Sequence, residues 1–128
     1  MADQKVQSYR DLTLWQRAMD LAKSCYLLTR DFPREEIYGM TSQIRRAAVS
    51  IPSNVAEGYG RGHRAEYVQH LYIAQGSLKE LETQLILAGD VGIAAADSTA
   101  PLLAQCEGVG RLLSALIRAL SPDRTKDE

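Results

Sequence analysis

The sequence predicts an all-α protein: an up-down-up-down antiparallel four-helix bundle with a proline-kinked second helix. Two observations predict it. Apolar residues recur at helical spacing in four segments, and only short connections separate these segments, which is typical of antiparallel neighbours. The four segments make one predicted domain, residues 11–120. Residues 1–10 and 121–128 are polar or charged without periodicity, so we expect them to be flexible tails.

Helix 1 is predicted to begin at a cap on Asp11 or Thr13. It is predicted to end at Asp31-Phe32-Pro33, because the residue before a proline avoids helical angles. The residues at helical spacing between these limits form its predicted core stripe: Trp15, Ala18, Met19, Ala22, Cys25 and Tyr26.

Helix 2 is predicted to begin near Arg34 and to carry an apolar stripe at Ile37, Met40 or Thr41, Ile44, Ala48, Ile51 and Val55. The stripe stays in register through Pro52. A proline inside a helix removes a hydrogen bond, so we expect it to kink one long helix rather than end it. Three glycines between Gly58 and Gly62 are predicted to end the helix and to supply left-handed conformations.

Helices 3 and 4 show the clearest periodicity. In helix 3 the core positions alternate by four and three residues: Tyr67, Leu71, Ala74, Leu78, Leu81, Leu85 and Ala88. In helix 4 they are Leu102, Cys106, Val109, Leu113, Leu116 and Leu120. Asp97-Ser98-Thr99 is predicted to cap helix 4, with Pro101 in its first turn.

Composition excludes several functional classes. The net charge is −1, although residues 1–64 carry ten Lys/Arg against seven Asp/Glu and residues 65–128 carry five against nine. The chain as a whole is therefore not strongly attracted to nucleic acid or acidic lipid. No apolar run is long enough to span a membrane, and the two cysteines have no metal-type spacing. We expect a cytoplasmic protein with both cysteines buried as small hydrophobic residues.

Helices 2 and 3 have more apolar surface than a monomeric bundle needs. On helix 2 the surplus comes from Val49, Pro52 and Ala56, and on helix 3 from Val68, Tyr72 and Ile86. Such a surplus favours self-association, although a wide core-facing arc is the alternative. A polar stripe, Arg46, Ser50, Asn54, Glu57 and Arg61, is predicted opposite the helix 2 core stripe. This polar stripe is either a solvated face with an ion pair or a contact surface. The predicted oligomer interface contains Ser50, Asn54 and Glu57 from the polar stripe, together with Pro52, Ala56, Val68 and Tyr72.

Two segments carry a resemblance to a known family. They are the helix 2 segment Gln43–Gly58, QIRRAAVSIPSNVAEG, and the helix 3 segment Ala74–Glu82, AQGSLKELE. With Trp15 and Phe32-Pro33, they make the chain resemble the bacterial four-helix bundle proteins encoded by intervening sequences of large-subunit (23S) ribosomal RNA genes. The resemblance implies a homopentamer. It also implies kinship with the accessory variability determinant proteins of diversity-generating retroelements, which bind nucleic acid and a reverse transcriptase through a basic surface.

Cations around helix 2 are the candidate nucleic-acid site: Arg45, Arg46, Arg61, His63 and Arg64. Tyr59 and Tyr67 lie near enough in sequence to stack on bases. The alternative is that these cations form salt bridges with the acidic second half of a neighbouring subunit.

No motif predicts a catalytic, metal or cofactor site. Glu66 and His70 share a helical face, but paired Glu-x-x-His motifs are missing, and the glycines near Gly60 follow a helix rather than a strand. The sequence therefore predicts a non-enzymatic homo-oligomer that associates with RNA or a ribonucleoprotein. The alternative is a structural or protein–protein adaptor oligomer that binds no nucleic acid.

Overall fold

The computed structural model describes residues 6–121. The predicted tails fall largely outside this range, at residues 1–5 and 122–128. Helices make up nearly all of the described chain, which contains no strand. The four long helices are α1 Thr13–Thr29, α2 Met40–Gly60, α3 Arg64–Asp90 and α4 Ala96–Leu120. Short 3-10 helices at Tyr9–Asp11 and Arg34–Glu36 precede α1 and α2.

The helices form the predicted four-helix bundle. Each one packs against the next in sequence, and α4 closes the arrangement against α1. The α2–α3 pair is the most extensive contact. One apolar core fills the centre, and its large members are fully enclosed: Leu21, Ile44, Ile51, Leu71, Leu78, Leu81, Leu85 and Leu113. The predicted core stripes of helices 3 and 4 are confirmed except at their ends, where Tyr67, Leu116 and Leu120 are only partly buried and Ile117 is buried instead.

Helix 1 is rotated relative to the prediction: Ala18, Ala22 and Cys25 are buried as predicted, but Trp15, Met19 and Tyr26 are not. Its buried apolar residues are Leu14, Ala18, Leu21, Ala22 and Cys25. Trp15, Met19 and Tyr26 lie to one side of this stripe, and Tyr26 is 44% exposed. The chain has two apolar stripes at four-three spacing on α1, and sequence periodicity alone does not say which one the other helices cover.

Helix 2 begins later than predicted, at Met40. Residues 34–36 form a separate 3-10 turn, and the Glu36 carboxylate accepts a hydrogen bond from the Met40 backbone amide at 3.1 Å. That bond satisfies a free amide of the first helical turn. Ile37, predicted in the core stripe, is 54% exposed, and Tyr38 beside it is 95% exposed. As predicted, the helix continues through Pro52, which is buried.

The three glycines predicted to end helix 2 do not all have the left-handed conformation that was expected of them. Gly58 and Gly60 are helical, and of the three only Gly62, with φ of 77°, is left-handed. The cap predicted for helix 4 is also wrong, because the helix begins at Ala96 without a side-chain cap. Thr99 is buried inside the first turns, and its hydroxyl donates to the Ala96 carbonyl at 3.1 Å.

Candidate functional site

The five candidate nucleic-acid cations do not form one cluster. Arg45 lies near the start of α2 and Arg61 just beyond its end, sixteen residues apart, which is about 24 Å along a helix. Arg45 is engaged within the protomer. Its Nε donates to Thr29 Oγ1 at 2.8 Å, and its guanidinium carbon lies 4.6 Å from the centre of the Tyr26 ring. These contacts assign Arg45 to the packing of α1 on α2.

The other four cations divide between two places. Arg46 is exposed and lines a groove of about 490 Å³ between α2 and α3. Arg61 pairs with Glu57 at 2.9 Å, whereas His63 and Arg64 are exposed at the start of α3. The α2–α3 turn is therefore the only part of the described chain where several of the five cations lie together.

The Tyr59 and Tyr67 rings meet edge to face at the same turn, with centroids 6.0 Å apart. Tyr67 is partly buried, and burial raises the pKa of its phenol. The turn therefore combines exposed cations with aromatic rings, although the two rings already contact each other.

The polar stripe on α2 packs against α3. Ser50 Oγ lies 2.8 Å from Ser77 Oγ. Asn54 Nδ2 donates to the Ser50 carbonyl at 2.9 Å, which leaves Asn54 Oδ1 to accept from His70 Nδ1 at 3.0 Å. The amide orientation thus fixes the proton on His70 Nδ1. Ser50 and Asn54, predicted in an oligomer interface, make their hydrogen bonds inside the protomer.

Glu57 lies at the outer edge of the same contact. Its carboxylate accepts from Arg61 at 2.9 Å and lies 4.0 Å from His70 Nε2. The Arg61 hydrogen bond, assisted by the nearby His70, holds the pKa of Glu57 below its ordinary value. The ion pair expected for a solvated face is therefore present here.

These contacts repeat along the helix pair and form what we call the polar ladder. Its rungs are Gln43–Gln84, Ser50–Ser77 and Glu57–His70. Each rung steps seven residues forward on α2 and seven back on α3. A slip by one heptad would oppose unlike groups, so the ladder specifies the register of a seam whose apolar residues are nearly uniform. At the Gln43–Gln84 rung, Gln84 Oε1 is buried without a hydrogen-bond partner among residues 6–121.

Gly58 allows α2 and α3 to approach closely beside the ladder. A Cβ on this residue would lie 2.8 Å from His70 Cβ and 3.1 Å from Tyr67 Cδ1. The first distance is shorter than carbon atoms tolerate, so any side chain here forces the helices apart. Gly58 therefore serves helix packing, whereas the sequence analysis predicted that it ends the helix.

A second surface of α2 forms the apolar groove, which lies between α1 and α2 and has a volume of about 710 Å³. Its α2 wall contains Val49, Pro52 and Ala56, two of which were predicted in an oligomer interface. Its α1 wall contains residues that sequence analysis placed in the core or left unassigned: Trp15, Met19, Ala22, Lys23, Tyr26, Leu27 and Arg30. Tyr9 closes one end by packing edge to face on Trp15 at 5.2 Å.

The charges around the apolar groove have one sign. Lys23 and Arg30 line it, and no Asp or Glu is among its lining residues. The signal for this surface was present in the sequence, since the second stripe of α1 is rich in aromatic residues and methionine, which are common in interface cores. The other two predicted interface residues, Val68 and Tyr72, lie on α3, and Tyr72 is 43% exposed.

The described residues contain no group of three or more His, Cys, Asp or Glu placed to hold a metal ion. Cys25 and Cys106 are free and buried, as predicted, and burial raises the pKa of each thiol to about 12. Such thiols are poor nucleophiles at neutral pH. Within residues 6–121 no helix has the length and apolarity needed to cross a bilayer.

Comparison with known proteins decides the family. The family model for the 23S rRNA-intervening sequence protein matches residues 10–115. The chain belongs to this family. The crystal structure of a protein of unknown function from the S23 ribosomal protein family of Bacteroides thetaiotaomicron superposes on this chain with a TM-score of 0.74 at 20% identity. The alignment covers 83% of this chain and 99% of that one, which supports the fold. No protein of curated function matches the chain.

Proposed function

We propose that this family member is a non-enzymatic, homo-oligomeric helical scaffold that associates with RNA or a ribonucleoprotein. The apolar groove is the observation that carries the proposal, because a groove of about 710 Å³ lined mainly by aromatic and aliphatic side chains is costly to leave in water. Assembly as a pentamer and kinship with the accessory variability determinant proteins are parts of this proposal that rest on the family resemblance. Action in the cytoplasm is a part that rests on the composition of the sequence.

Assembly is tested by light scattering on the purified chain. A pentamer has five times the 14.2 kDa mass of one chain. A mass that stays at one chain up to high micromolar concentration would contradict the scaffold as a whole.

The α2–α3 turn supports the RNA component. His63 and Arg64 are exposed there beside Tyr59 and Tyr67, and neither cation forms an ion pair with another described residue. Cations beside aromatic rings suit single-stranded loops, whose bases can stack. An oligomer repeats the turn in every subunit, so weak contacts add through avidity.

The RNA component is tested by filter binding of a labelled stem–loop RNA across a salt series. Arg64→Glu is expected to weaken binding and to flatten the dependence on salt, because each lost phosphate contact removes about 0.7 from the logarithmic slope for single strands. Arg17→Glu is the matched control, since Arg17 is also exposed but lies on α1 and pairs with Asp20. Equal effects of the two substitutions, or binding that ignores salt, would refute an RNA site at the turn.

The second candidate is a structural or protein–protein adaptor oligomer that binds no nucleic acid. Two of the five candidate cations favour it, because Arg45 and Arg61 already have partners in the protomer. In this case Arg46 bridges subunits, and Arg46→Glu is expected to reduce the mass measured by light scattering. An intact oligomer that binds RNA would decide against the adaptor.

A further inference from the structure

We propose that the apolar groove of one copy receives the outer face of α3 from a second copy. This inference takes from the proposed function only that the chain self-associates, and adds which two surfaces meet. The α3 outer face is the exposed side of α3 marked by Tyr72, Ile73, Gly76, Glu80, Leu87 and Asp90.

The α3 outer face has the composition of a surface that another element covers. Tyr72, Ile73 and Leu87 are 43%, 47% and 46% exposed. Gly76 lies between them, and a Cβ there would meet no atom within 4 Å. Large apolar side chains around a small residue let a second helix surface approach closely. The face continues the spacing of three and four residues that is typical of a packed helical seam.

The lengths of the two surfaces agree. The apolar groove extends along α1 from Trp15 to Arg30, fifteen residues or about 22 Å. The α3 outer face extends from Tyr72 to Asp90, eighteen residues or about 27 Å. A helix lying in a groove with apolar anchors on successive turns is a common recognition mode.

The charges are complementary. The apolar groove is lined by Lys23 and Arg30 without a carboxylate. The α3 outer face carries Glu80 and Asp90, and the nearest lysine on α3, Lys79, is held by Glu82 at 3.2 Å. Complementary potentials favour this pairing and disfavour groove against groove, where like charges would meet.

The other candidate occupant on α4 fits less well. The exposed side of α4 offers mainly alanines, and its two acidic residues, Asp97 and Glu107, are balanced by Arg111 and Arg118. It therefore has neither large apolar side chains to fill the groove nor a net charge opposite to that of the groove. The apolar groove lies on the α1 side of α2 and α3 packs on the other side, so the two surfaces point in different directions and the contact is head-to-tail. A head-to-tail contact between identical chains closes into a ring when its rotation permits.

Cysteine cross-linking tests the pairing directly. Ser53, exposed in the groove lining, and Gly76 are changed to cysteine. The native thiols stay silent, because a pKa of about 12 leaves about one thiolate in ten thousand at pH 8. We expect the chain with both S53C and G76C to form a covalent ladder on mild oxidation, and each single variant to form none. Thr83→Cys replaces Gly76→Cys to sample a position seven residues further along α3.

The control pairs Ser53→Cys with Ala104→Cys on the exposed side of α4 and is expected not to cross-link. A wild-type oligomer that yields no ladder at position 76 or 83 would overturn the inference. Cross-linking by Ser53→Cys alone would replace it with a two-fold contact of groove on groove. A ladder formed instead with Tyr38→Cys would assign the exposed α1–α2 connection as the occupant.

Charge exchange gives an independent test by light scattering. Lys23→Glu with Arg30→Glu, or Glu80→Lys with Asp90→Lys, is expected to weaken association about tenfold or more, and the four changes together to restore it. Circular dichroism checks that each variant keeps its helices. A monomeric wild-type chain would contradict both the proposed scaffold function and this inference. An oligomer whose mass is unchanged by both charge exchanges would contradict only the inference about which surfaces meet.

Discussion

The two sides of α2 differ in what they contact in this bundle. The side toward α3 is polar, carries Ser50 and Asn54, and makes hydrogen bonds of 2.8–3.1 Å that end on α3 or on α2 itself. The side toward α1 carries Val49, Pro52 and Ala56 and lines the apolar groove. The composition of each side suggests the reverse, since polar stripes are usually solvated and apolar stripes usually covered.

The difference shows that a stripe's chemistry does not identify its partner. The polar ladder is partly covered at its centre, where Ser50 bonds with Ser77 and Asn54 bonds with His70, while Gln43 and Glu57 remain exposed. Paired groups cost little to bury, and they specify the register of α2 on α3. The apolar groove is uncovered because α1 turns a different apolar stripe, that of Leu14, Ala18 and Leu21, toward the core. Four substitutions test this contrast, in order of their expected effect on the stability of the protomer.

The close approach at Gly58 gives the largest expected effect. Gly58→Ala places a Cβ 2.8 Å from His70 Cβ, so we expect the free energy of unfolding to fall by about 2–3 kcal/mol. Gly60→Ala is the matched control, because it lies in the same helix and its Cβ would meet nothing within 4 Å. We expect the control to be neutral or stabilising by up to about 1 kcal/mol. Urea unfolding at one protein concentration measures both, and equal values would remove the packing role of Gly58.

Asn54→Ala tests whether the polar ladder works inside the protomer. It removes the acceptor of His70 Nδ1, whose side chain is 16% exposed, so we expect a loss of about 1–2 kcal/mol. A double-mutant cycle with His70→Ala is expected to give a coupling energy above about 0.5 kcal/mol. Ser53→Ala, an exposed neighbour on the groove side, is the control. A loss of oligomer mass without a loss of protomer stability would instead support the prediction that Asn54 lies in the subunit interface.

Leu27→Ser tests whether the apolar groove is needed for assembly rather than for the stability of the protomer. Leu27 is 57% exposed, so we expect the unfolding free energy of the protomer to change by no more than about 0.5 kcal/mol. The mass in light scattering is nevertheless expected to fall. Ile37→Ser is the control, because Ile37 is 54% exposed but lies in the α1–α2 connection, outside both proposed contact surfaces. Loss of assembly in both variants would point to general hydrophobic association rather than to the groove.

Glu57→Gln should give the smallest effect, visible only in the pH dependence. The folded state holds the pKa of Glu57 below its ordinary value of 4.5, chiefly through the Arg61 hydrogen bond. The stabilisation is therefore present above pH 4.5 and is lost as the pH falls through the lower folded pKa. Thermal unfolding from pH 7 to pH 3 should show a slightly shallower decline for the variant. A steeper decline would show that the ion pair does not stabilise the fold.

Sequence periodicity predicted the helices better than their boundaries. The heptad of α3 is buried as predicted from Leu71 to Ala88, because seven-residue spacing on a helix leaves one choice of core face. Where two stripes compete, as on α1, the choice depends on which neighbour covers which side. The start of α2 was missed because a side chain, Glu36, rather than a periodic residue sets it.

The candidate site was predicted less well than the fold. The sequence places Arg45 and Arg46 side by side, yet adjacent helical residues point about 100° apart and reach different surfaces. Arg45 contacts Tyr26, and Arg46 lines the groove toward α3. Pro52 and Ala56, predicted as surplus apolar surface, line the apolar groove. A helical wheel for one helix identifies such residues but does not show which residues of another helix lie opposite them.

The sequence by itself determined the all-helical class, the number of helices, the passage of α2 through Pro52 and the family, since each follows from local periodicity or from motifs in Gln43–Gly58. Only the tertiary structure decided that Ser50 meets Ser77, that Gly58 is a point of close approach, and that Trp15 and Val49 line the same groove. The physical reason is that spacing along one helix fixes directions around that helix alone. Which direction becomes core, seam or surface depends on where the other three helices pack.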